Sequence, residues 1–253
     1  MSVAMASPMP TLPSLGFTAL TLAALVGCNS TVGTDDRASF AYESGHGCLL
    51  SCDTGKPLML GTTESLTVTG IPATNGITLT ASASSVVAVG DHTTTYTCDA
   101  PGTSTTSTAG DACPSGTTKH VMMEVSILAL AAGHAMLDVN NADGSLFDSL
   151  PLTVLAPAKL QLVNPDDAVV SSVTVAHGVI VNLSMIAFDA HGVELQASQG
   201  FTFAAADPTI ADTQEHDFTV VSPDLAVHGD APGTTSITVS AASAETSLAV
   251  TVQ

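Results

Sequence analysis

Apolar and polar residues alternate along short runs after about residue 55, and turn-forming residues separate these runs. Alternation with a period of two places every second side chain on the same face of a β-strand. No stretch beyond residue 28 combines a sustained helical period with capping residues. The pattern therefore predicts an all-β chain with half-buried strands. The clearest runs are at residues 67–69, 77–80, 136–139, 181–185 and 236–240.

Two tight turns are marked by glycine beside small polar residues. Asp143-Gly144 follows an alternating run and predicts a hairpin turn. Asp189-Ala190-His191-Gly192 predicts a second tight turn, in which glycine supplies the left-handed backbone conformation. Both turns fit strands that return antiparallel to their predecessors.

The alternating region contains two similar blocks, each of about 100 residues, which is the size of an Ig-like sandwich. The first block has about 23 extra residues between Ala88 and Gly133, in the span that includes Cys98 and Cys113. Pro157 lies between the blocks and indicates a short linker. The matching segments are 85–88 with 208–211, 132–139 with 232–239, and 150–154 with 248–252.

These observations predict two tandem Ig-like β-sandwich domains, at residues 48–156 and 157–253. The first domain carries an insertion at residues 98–113 that we expect a disulfide to close. In such sandwiches, two antiparallel sheets enclose a core of alternating inward-facing side chains. With aromatic residues at only 4% and no Trp, that core must consist mainly of Val, Ile, Leu and Ala.

The second block resembles the bacterial Ig-like group 2 family. The shared features are Asp189-x-x-Gly192, the aromatic strand Phe201-Thr202-Phe203, the segment 206–211 (ADPTIA) and the closing segment 231–239 (APGTTSITV). Phe203 stands where family members usually have Trp. The resemblance covers about 200 residues and is weaker in the first block. It implies a surface module that acts as a spacer or binding domain, often in adhesins, without catalytic residues.

The N-terminal segment has the features of a secretion signal. Residues 15–26 are uncharged and mostly apolar, and they are shorter than the roughly 20 residues of a membrane span. They end in Leu25-Val26-Gly27-Cys28, which resembles the lipobox of bacterial lipoproteins. The resemblance implies cleavage of residues 1–27 and lipidation of Cys28. We expect residues 28–47, which are rich in small and polar residues, to form a short tether. The alternatives are a plain signal peptide that ends near Cys28, or a buried strand.

Localisation and partners follow from that anchor. A lipidated Cys28 would place the protein in the cell envelope, at the outer membrane or cell surface, with the membrane as its first partner. The chain has 4 Lys and Arg against 23 Asp and Glu, for a formal net charge of −19. Such a chain repels phosphate backbones, so nucleic-acid binding is excluded. Its other partner would be a surface, protein or carbohydrate ligand that the sequence does not specify.

The five cysteines divide into one lipidation residue and four that can pair. Assigning Cys28 to the anchor leaves Cys48, Cys52, Cys98 and Cys113, for which three pairings are possible. We favour Cys98–Cys113, which closes a Gly/Ser/Thr-rich excursion, and Cys48–Cys52 as a local staple. A closed loop of about 15 residues contributes roughly 3 kcal/mol. A zinc site is the alternative, but these spacings do not match common zinc motifs.

Histidine and serine motifs for catalysis are missing from the sequence. No His-Glu-x-x-His or Gly-x-Ser-x-Gly motif occurs. His134, His177, His191 and His228 each stand next to a glycine at a strand end or turn, where a solvated side chain is expected. We therefore predict no catalytic residue, no metal site and no cofactor, and a metal-dependent enzyme is the least favoured alternative. The eight histidines are at positions 46, 92, 120, 134, 177, 191, 216 and 228.

Calcium and carbohydrate binding remain as alternatives. Residues 138–144 resemble a calcium loop, but its first and twelfth positions would be Val139 and Leu150, which cannot bind calcium. An interdomain calcium site near Asp166 and Asp167 stays open. Sugar sites usually stack on exposed aromatic rings, and Tyr96 is the candidate for that role. The favoured function is an envelope lipoprotein whose Ig-like domains act as a spacer or adhesive module.

Overall fold

A computed structural model describes residues 30–43, 54–71, 76–100, 103–108, 113, 117–214 and 224–253. The predicted leader, the lipidation residue Cys28 and the pair Cys48 and Cys52 lie outside the described residues. The described chain is built from β-strands, and the predicted all-β class is confirmed. None of its described segments forms a helix with the length and apolar character that crossing a bilayer requires.

The first half of the chain forms two sheets. One is six-stranded, in the order β1-β2-β4-β8-β6-β7, and the other has the order β3-β10-β9-β5. All neighbouring strands are antiparallel except β3, which runs parallel to β10. The strands are β1 (Thr31–Val32), β2 (Ser39–Tyr42), β3 (Leu58–Met59), β4 (Thr63–Ile71), β5 (Thr78–Ala81), β6 (Val87–Ala100), β7 (Thr103–Thr108), β8 (Thr118–Ala129), β9 (Gly133–Asn140) and β10 (Leu146–Leu155).

Alternating side chains from both sheets meet in the first core. Val125 and Ile127 of β8 are buried at every second position, and Leu137 and Val139 of β9 do the same from the other sheet. This is the arrangement that the period-two pattern predicts, because successive strand residues point to opposite faces. The result is one continuous apolar cluster between two layers.

The second half repeats this plan. Its sheets have the orders β12-β11-β14-β18-β17, with β15 also paired to β14, and β13-β20-β19-β16. The short strand β13 runs parallel to the last long strand β20, as β3 does to β10 in the first half. The strands are β11 (Lys159–Val163), β12 (Val169–Val170), β13 (Ser172–Val175), β14 (Ile180–Phe188), β15 (Glu194–Leu195), β16 (Thr202–Ala205), β17 (Ala211–Gln214), β18 (Asp224–Gly229), β19 (Gly233–Ala241) and β20 (Ala244–Val252).

A glycine contact is repeated in both sandwiches. A β-carbon on Gly133 would lie 3.2 Å from Val86 Cγ2, and one on Gly233 would lie 3.0 Å from Ile210 Cδ1. The carbonyl oxygens of Val86 and Ile210 each accept two backbone hydrogen bonds from residues just before that glycine. Val86 is therefore equivalent to Ile210. The sequence match that paired Val87 with Ile210 is shifted by one residue.

Both predicted turns are present. Gly144 (φ +81°) lies in the connection between β9 and β10, and Gly192 (φ +81°) lies between β14 and β15. Asp189 Oδ1 accepts backbone hydrogen bonds from His191 and Val193, which fixes the second turn. Short polar side chains that bond to the backbone a few residues further on are typical of such turns.

The predicted insertion is a hairpin held by the predicted disulfide. Strands β6 and β7 pair from Thr95↔Thr108 to Ala100↔Thr103. Cys98 and Cys113 are bonded, with Cα atoms 5.6 Å apart, so this pairing is confirmed. Cys98 is buried, and the bond ties the insertion to the long strand β6.

The segment that was expected to form the tether differs from the prediction. Within residues 28–47, β1 and β2 belong to the first sheet, and β2 pairs with β4. Phe40 and Tyr42 are completely buried in the first core. The physical reason is that Ser39-Phe40-Ala41-Tyr42 alternates with period two and supplies two of the few aromatic rings. The first sandwich therefore begins before residue 48.

Asp148 anchors the loop between β1 and β2. Its buried carboxylate accepts backbone hydrogen bonds of 2.7–2.9 Å from four N–H groups. Burial acts to raise the pKa of Asp148, but these hydrogen bonds together outweigh burial and hold the pKa below its ordinary value. The donors are Ala38, Asp35, Ser149 and Arg37.

Candidate functional site

The two sandwiches meet at strand β3, which contributes one side chain to each core. Leu58 is 1% exposed and packs in the first core, whereas Met59 is 0% exposed and packs in the second. Neighbouring strand residues point to opposite faces, so a two-residue strand can serve two cores at once. Met59 is thus a first-half residue buried inside the second sandwich.

Backbone hydrogen bonds hold β3 on both sides. Met59 N donates to Gln196 O at 2.8 Å, and Gln196 N donates to Pro57 O at 2.7 Å. On the other side, Leu60 N donates to Leu155 O, the last residue of β10, at 2.9 Å. Strand β11 begins at Lys159, so the chain crosses between the sandwiches through a short connection that includes the predicted linker proline.

A buried carboxylate completes this joint. The Glu64 side chain has no exposed surface, and its Oε1 accepts hydrogen bonds from Thr62 Oγ1 at 2.7 Å and Ser198 N at 2.6 Å. Its Oε2 accepts a 3.0 Å bond from Gln196 Nε2. Burial raises the pKa of Glu64, and the hydrogen bonds from Gln196, Thr62 and Ser198 oppose that rise.

A charged pair lies at the rim of the joint. Lys56 Nζ donates a 2.8 Å hydrogen bond to Glu194 Oε1, with both side chains about one third exposed. An ion pair of this exposure contributes at most about 1 kcal/mol. Together with β3 and Glu64, it gives the joint an apolar centre, a buried hydrogen-bond network and a charged edge.

Three of the four histidines that are predicted to be solvated are exposed in the structure. His134, His177 and His191 are exposed, and the His191 side chain is 87% exposed. His46 and His216 lie outside the described residues. His228 differs, because its side chain is only 25% exposed and stands beside two carboxylates. Sequence spacing did not reveal this group, since strand pairing brings together residues far apart in the chain.

The His228 cluster has a compact geometry. His228 Nδ1 lies 2.8 Å from Asp230 Oδ1 and 3.9 Å from Asp212 Oδ1. Each residue offers one ligand atom, and all three atoms lie within 4.8 Å of one another. Asp212 is directly opposite His228 across the β17–β18 pair, and Asp230 follows two residues later. The three side chains therefore share one face.

The candidate residues for sugar and calcium binding do not form such a group. Tyr96 is buried and Lys119 Nζ lies 3.6 Å from the centre of its ring, while Tyr42 is also buried. Neither tyrosine offers an exposed ring to a sugar, and the chain has no Trp. Asp166 and Asp167 are exposed in the turn between β11 and β12, and no three-ligand group in the described residues includes them.

No protein-family model matches the chain. No curated protein matches it either. Among solved structures, it is similar to domains 4 and 5 of the S-layer protein SbsC, with 19% identity over 50% of this chain and 68% of that one, and a TM-score of 0.31. The adhesin InvE of Yersinia pseudotuberculosis is 12% identical over 89% and 60%, with a TM-score of 0.33.

A C-terminal intimin fragment, solved with the intimin-binding domain of its translocated receptor, is 13% identical. This match covers 76% of the chain and 58% of the fragment, with a TM-score of 0.24. The chain spans less than two thirds of both the InvE and the intimin structures. At these identities and scores the similarities carry no argument about function, which must come from the chain's own residues.

Proposed function

We propose that this chain is an exported, non-catalytic surface protein in which two Ig-like sandwiches form a rigid spacer that presents a binding surface. The observation that carries the proposal is the joint at β3, where Leu58 and Met59 enter different cores. Burying a Met side chain contributes about 2 kcal/mol, and a flexible tandem array would not need a side chain from one half inside the other.

The joint also fixes the angle between the two sandwiches, which apolar packing alone does not do. Glu64 needs its donors Thr62, Gln196 and Ser198 at specific positions, because an unpaired buried carboxylate is strongly destabilising. A change of angle between the sandwiches would separate Glu64 from the donors of the second sandwich. A spacer that holds its distal surface at a constant distance and angle has use for such a constraint.

Anchoring is the second part of the proposal. A lipobox-like Leu25-Val26-Gly27-Cys28 after an uncharged apolar run supports attachment to the cell envelope through Cys28. The second-half features at residues 189–192, 201–203 and 206–211 support kinship with the bacterial Ig-like group 2 family. The ligand of the distal surface is a protein, a carbohydrate or another surface component.

Small-angle X-ray scattering of the full mature chain tests the spacer. Wild type should give a scattering curve that one rigid two-sandwich shape fits. Met59→Ala should broaden the distribution of end-to-end lengths of the two-sandwich particle. Met185→Ala removes a buried Met from the same core away from β3, so it should leave the distribution narrow. Equal broadening in both variants, or a broad distribution in wild type, contradicts the proposal.

Radioactive palmitate labelling tests the anchor. The full chain with its leader should incorporate label and fractionate with membranes, whereas Cys28→Ala should do neither. Incorporation by both proteins, or by neither, removes the lipid anchor from the proposal and leaves the spacer to be judged by scattering.

A further inference from the structure

A group of metal-ligating side chains lies on the second sandwich, apart from the joint. Leu225 and Val227 of β18 are buried in the second core. Because strand side chains alternate, His228 and Asp230 point away from that core. Asp212 of β17 is the direct cross-strand partner of His228, so its side chain stands on the same outer face.

The hydrogen-bonding of this group is incomplete. Asp212 Oδ1 and Asp230 Oδ2 are shielded from solvent, and neither has a hydrogen-bond partner among the described residues. His228 Nδ1 approaches Asp230 Oδ1 at 2.8 Å and can serve only one carboxylate with its single proton. Shielded carboxylate oxygens without a donor cost free energy, and two carboxylates beside one imidazole are unfavourable unless a positive charge lies between them.

We propose that Asp212, His228 and Asp230 bind a Zn²⁺ ion on the outer face of the second sandwich, with water completing the coordination. A mixed set of one imidazole nitrogen and two carboxylate oxygens suits Zn²⁺, whereas Ca²⁺ and Mg²⁺ take oxygen ligands. Bonds of about 2.1 Å in a tetrahedral site separate ligand atoms by roughly 3.4 Å. The three ligand atoms already lie within 4.8 Å of one another, so small side-chain rotations suffice.

The ion would link two neighbouring strands. Strand β17 is the edge strand of its sheet and is held there by β18. A metal shared by Asp212 of β17 with His228 and Asp230 of the β18 segment adds a second connection between them. Zinc binding therefore stabilises the second sandwich, because a ligand that binds only the folded state raises its stability.

The test uses the full mature chain, freed of metal with a chelator, and zinc chloride as the probe. Isothermal titration should show one site that calcium chloride does not compete for, and zinc should raise the Tm. Asp212→Asn and His228→Gln should each weaken binding at least about 10-fold. The matched control is His191→Gln, which removes a histidine 3.3 Å from Asp189 that has no third ligand among the described residues, and it should bind zinc as wild type does.

Imidazole nitrogen NMR of the unsubstituted chain provides a readout that does not depend on the folding of variants. The Nδ1 resonance of His228 should shift on addition of one equivalent of zinc, and that of His191 should not. The proposal is overturned if the His228 resonance stays unchanged, if calcium binds in preference to zinc, or if zinc affinity survives Asp212→Asn and His228→Gln.

Discussion

Gln196 of the second sandwich donates a 3.0 Å hydrogen bond to the carboxylate of Glu64, whose side chain is completely buried beside the first sandwich. The backbone carbonyl oxygen of the same glutamine accepts a hydrogen bond from Met59 N. One residue thus pairs with both the backbone and a buried side chain of the other half. Such a network has a single satisfied geometry, so it specifies how the sandwiches are oriented.

The pH dependence of the joint follows from Glu64. The pKa of Glu64 is raised in the folded protein above its ordinary value of about 4.3. As pH rises above that value, Glu64 therefore loses its proton first in the unfolded state and only later in the folded state. The contribution of Glu64 to the free energy of unfolding therefore falls as pH rises from that value through the raised pKa. We expect wild type to lose stability relative to Glu64→Gln across this range.

Urea unfolding of wild type and Glu64→Gln between pH 4 and 8 measures that difference. Glu245→Gln, at an exposed position, controls for the loss of one negative charge. A difference between wild type and Glu64→Gln that does not change with pH would show that Glu64 keeps its ordinary pKa.

Leu58→Ala and Met59→Ala should affect different sandwiches although the residues are neighbours. Each substitution removes a buried side chain and should cost about 2–5 kcal/mol. Hydrogen exchange by mass spectrometry should report faster exchange in β8 and β9 for Leu58→Ala, and in β14 and β19 for Met59→Ala. The opposite assignment, or the same pattern for both, contradicts the division of β3 between two cores.

Asp148→Asn should release the N-terminal strands. The amide replaces one oxygen that accepts two backbone N–H groups with a donor, at a cost of about 3 kcal/mol. The folded pKa of Asp148 is lowered, so its stabilising effect is present above the ordinary pKa of about 3.9 and is lost as pH falls below it. Limited proteolysis should cut Asp148→Asn near residues 33–38 at pH 7, and wild type should resist.

Removal of the Cys98–Cys113 bond should destabilise the first sandwich without unfolding the second. Loss of a loop closed over about 15 residues costs roughly 3 kcal/mol on the chain-entropy model. In calorimetry, the double variant Cys98→Ser with Cys113→Ser should therefore lower the Tm of the transition in which the first sandwich unfolds. An unchanged transition would mean that the insertion hairpin is held by strand pairing alone.

The sequence predicts the parts of the fold that depend on local patterns. Period-two alternation identified the long strands, and Gly144 and Gly192 identified two turns. Ser39–Tyr42 does not stand out as a strand in the sequence, because the run is short and follows a polar segment. Only the burial of Phe40 and Tyr42 shows that it belongs to the first sheet. Local pattern also cannot tell that adjacent residues Leu58 and Met59 belong to different cores, since that depends on long-range packing.

The candidate sites were harder to predict for the same reason. Glu64 resembles any exposed strand residue in sequence, and its partners Gln196 and Ser198 lie more than 130 residues away. The glycine beside His228 predicts a solvated side chain. Only the register of β17 against β18 brings Asp212 to it. Register depends on pairing across the sheet, which a single sequence specifies weakly.

Residual dipolar couplings of backbone amides in the aligned mature chain test the rigid joint most directly. We expect the couplings from the two sandwiches to fit one common alignment tensor, and we expect Met59→Ala to separate them into two tensors of different magnitude. Two unequal tensors in wild type would contradict the account, because they would mean that the sandwiches reorient independently despite the contacts at β3 and Glu64.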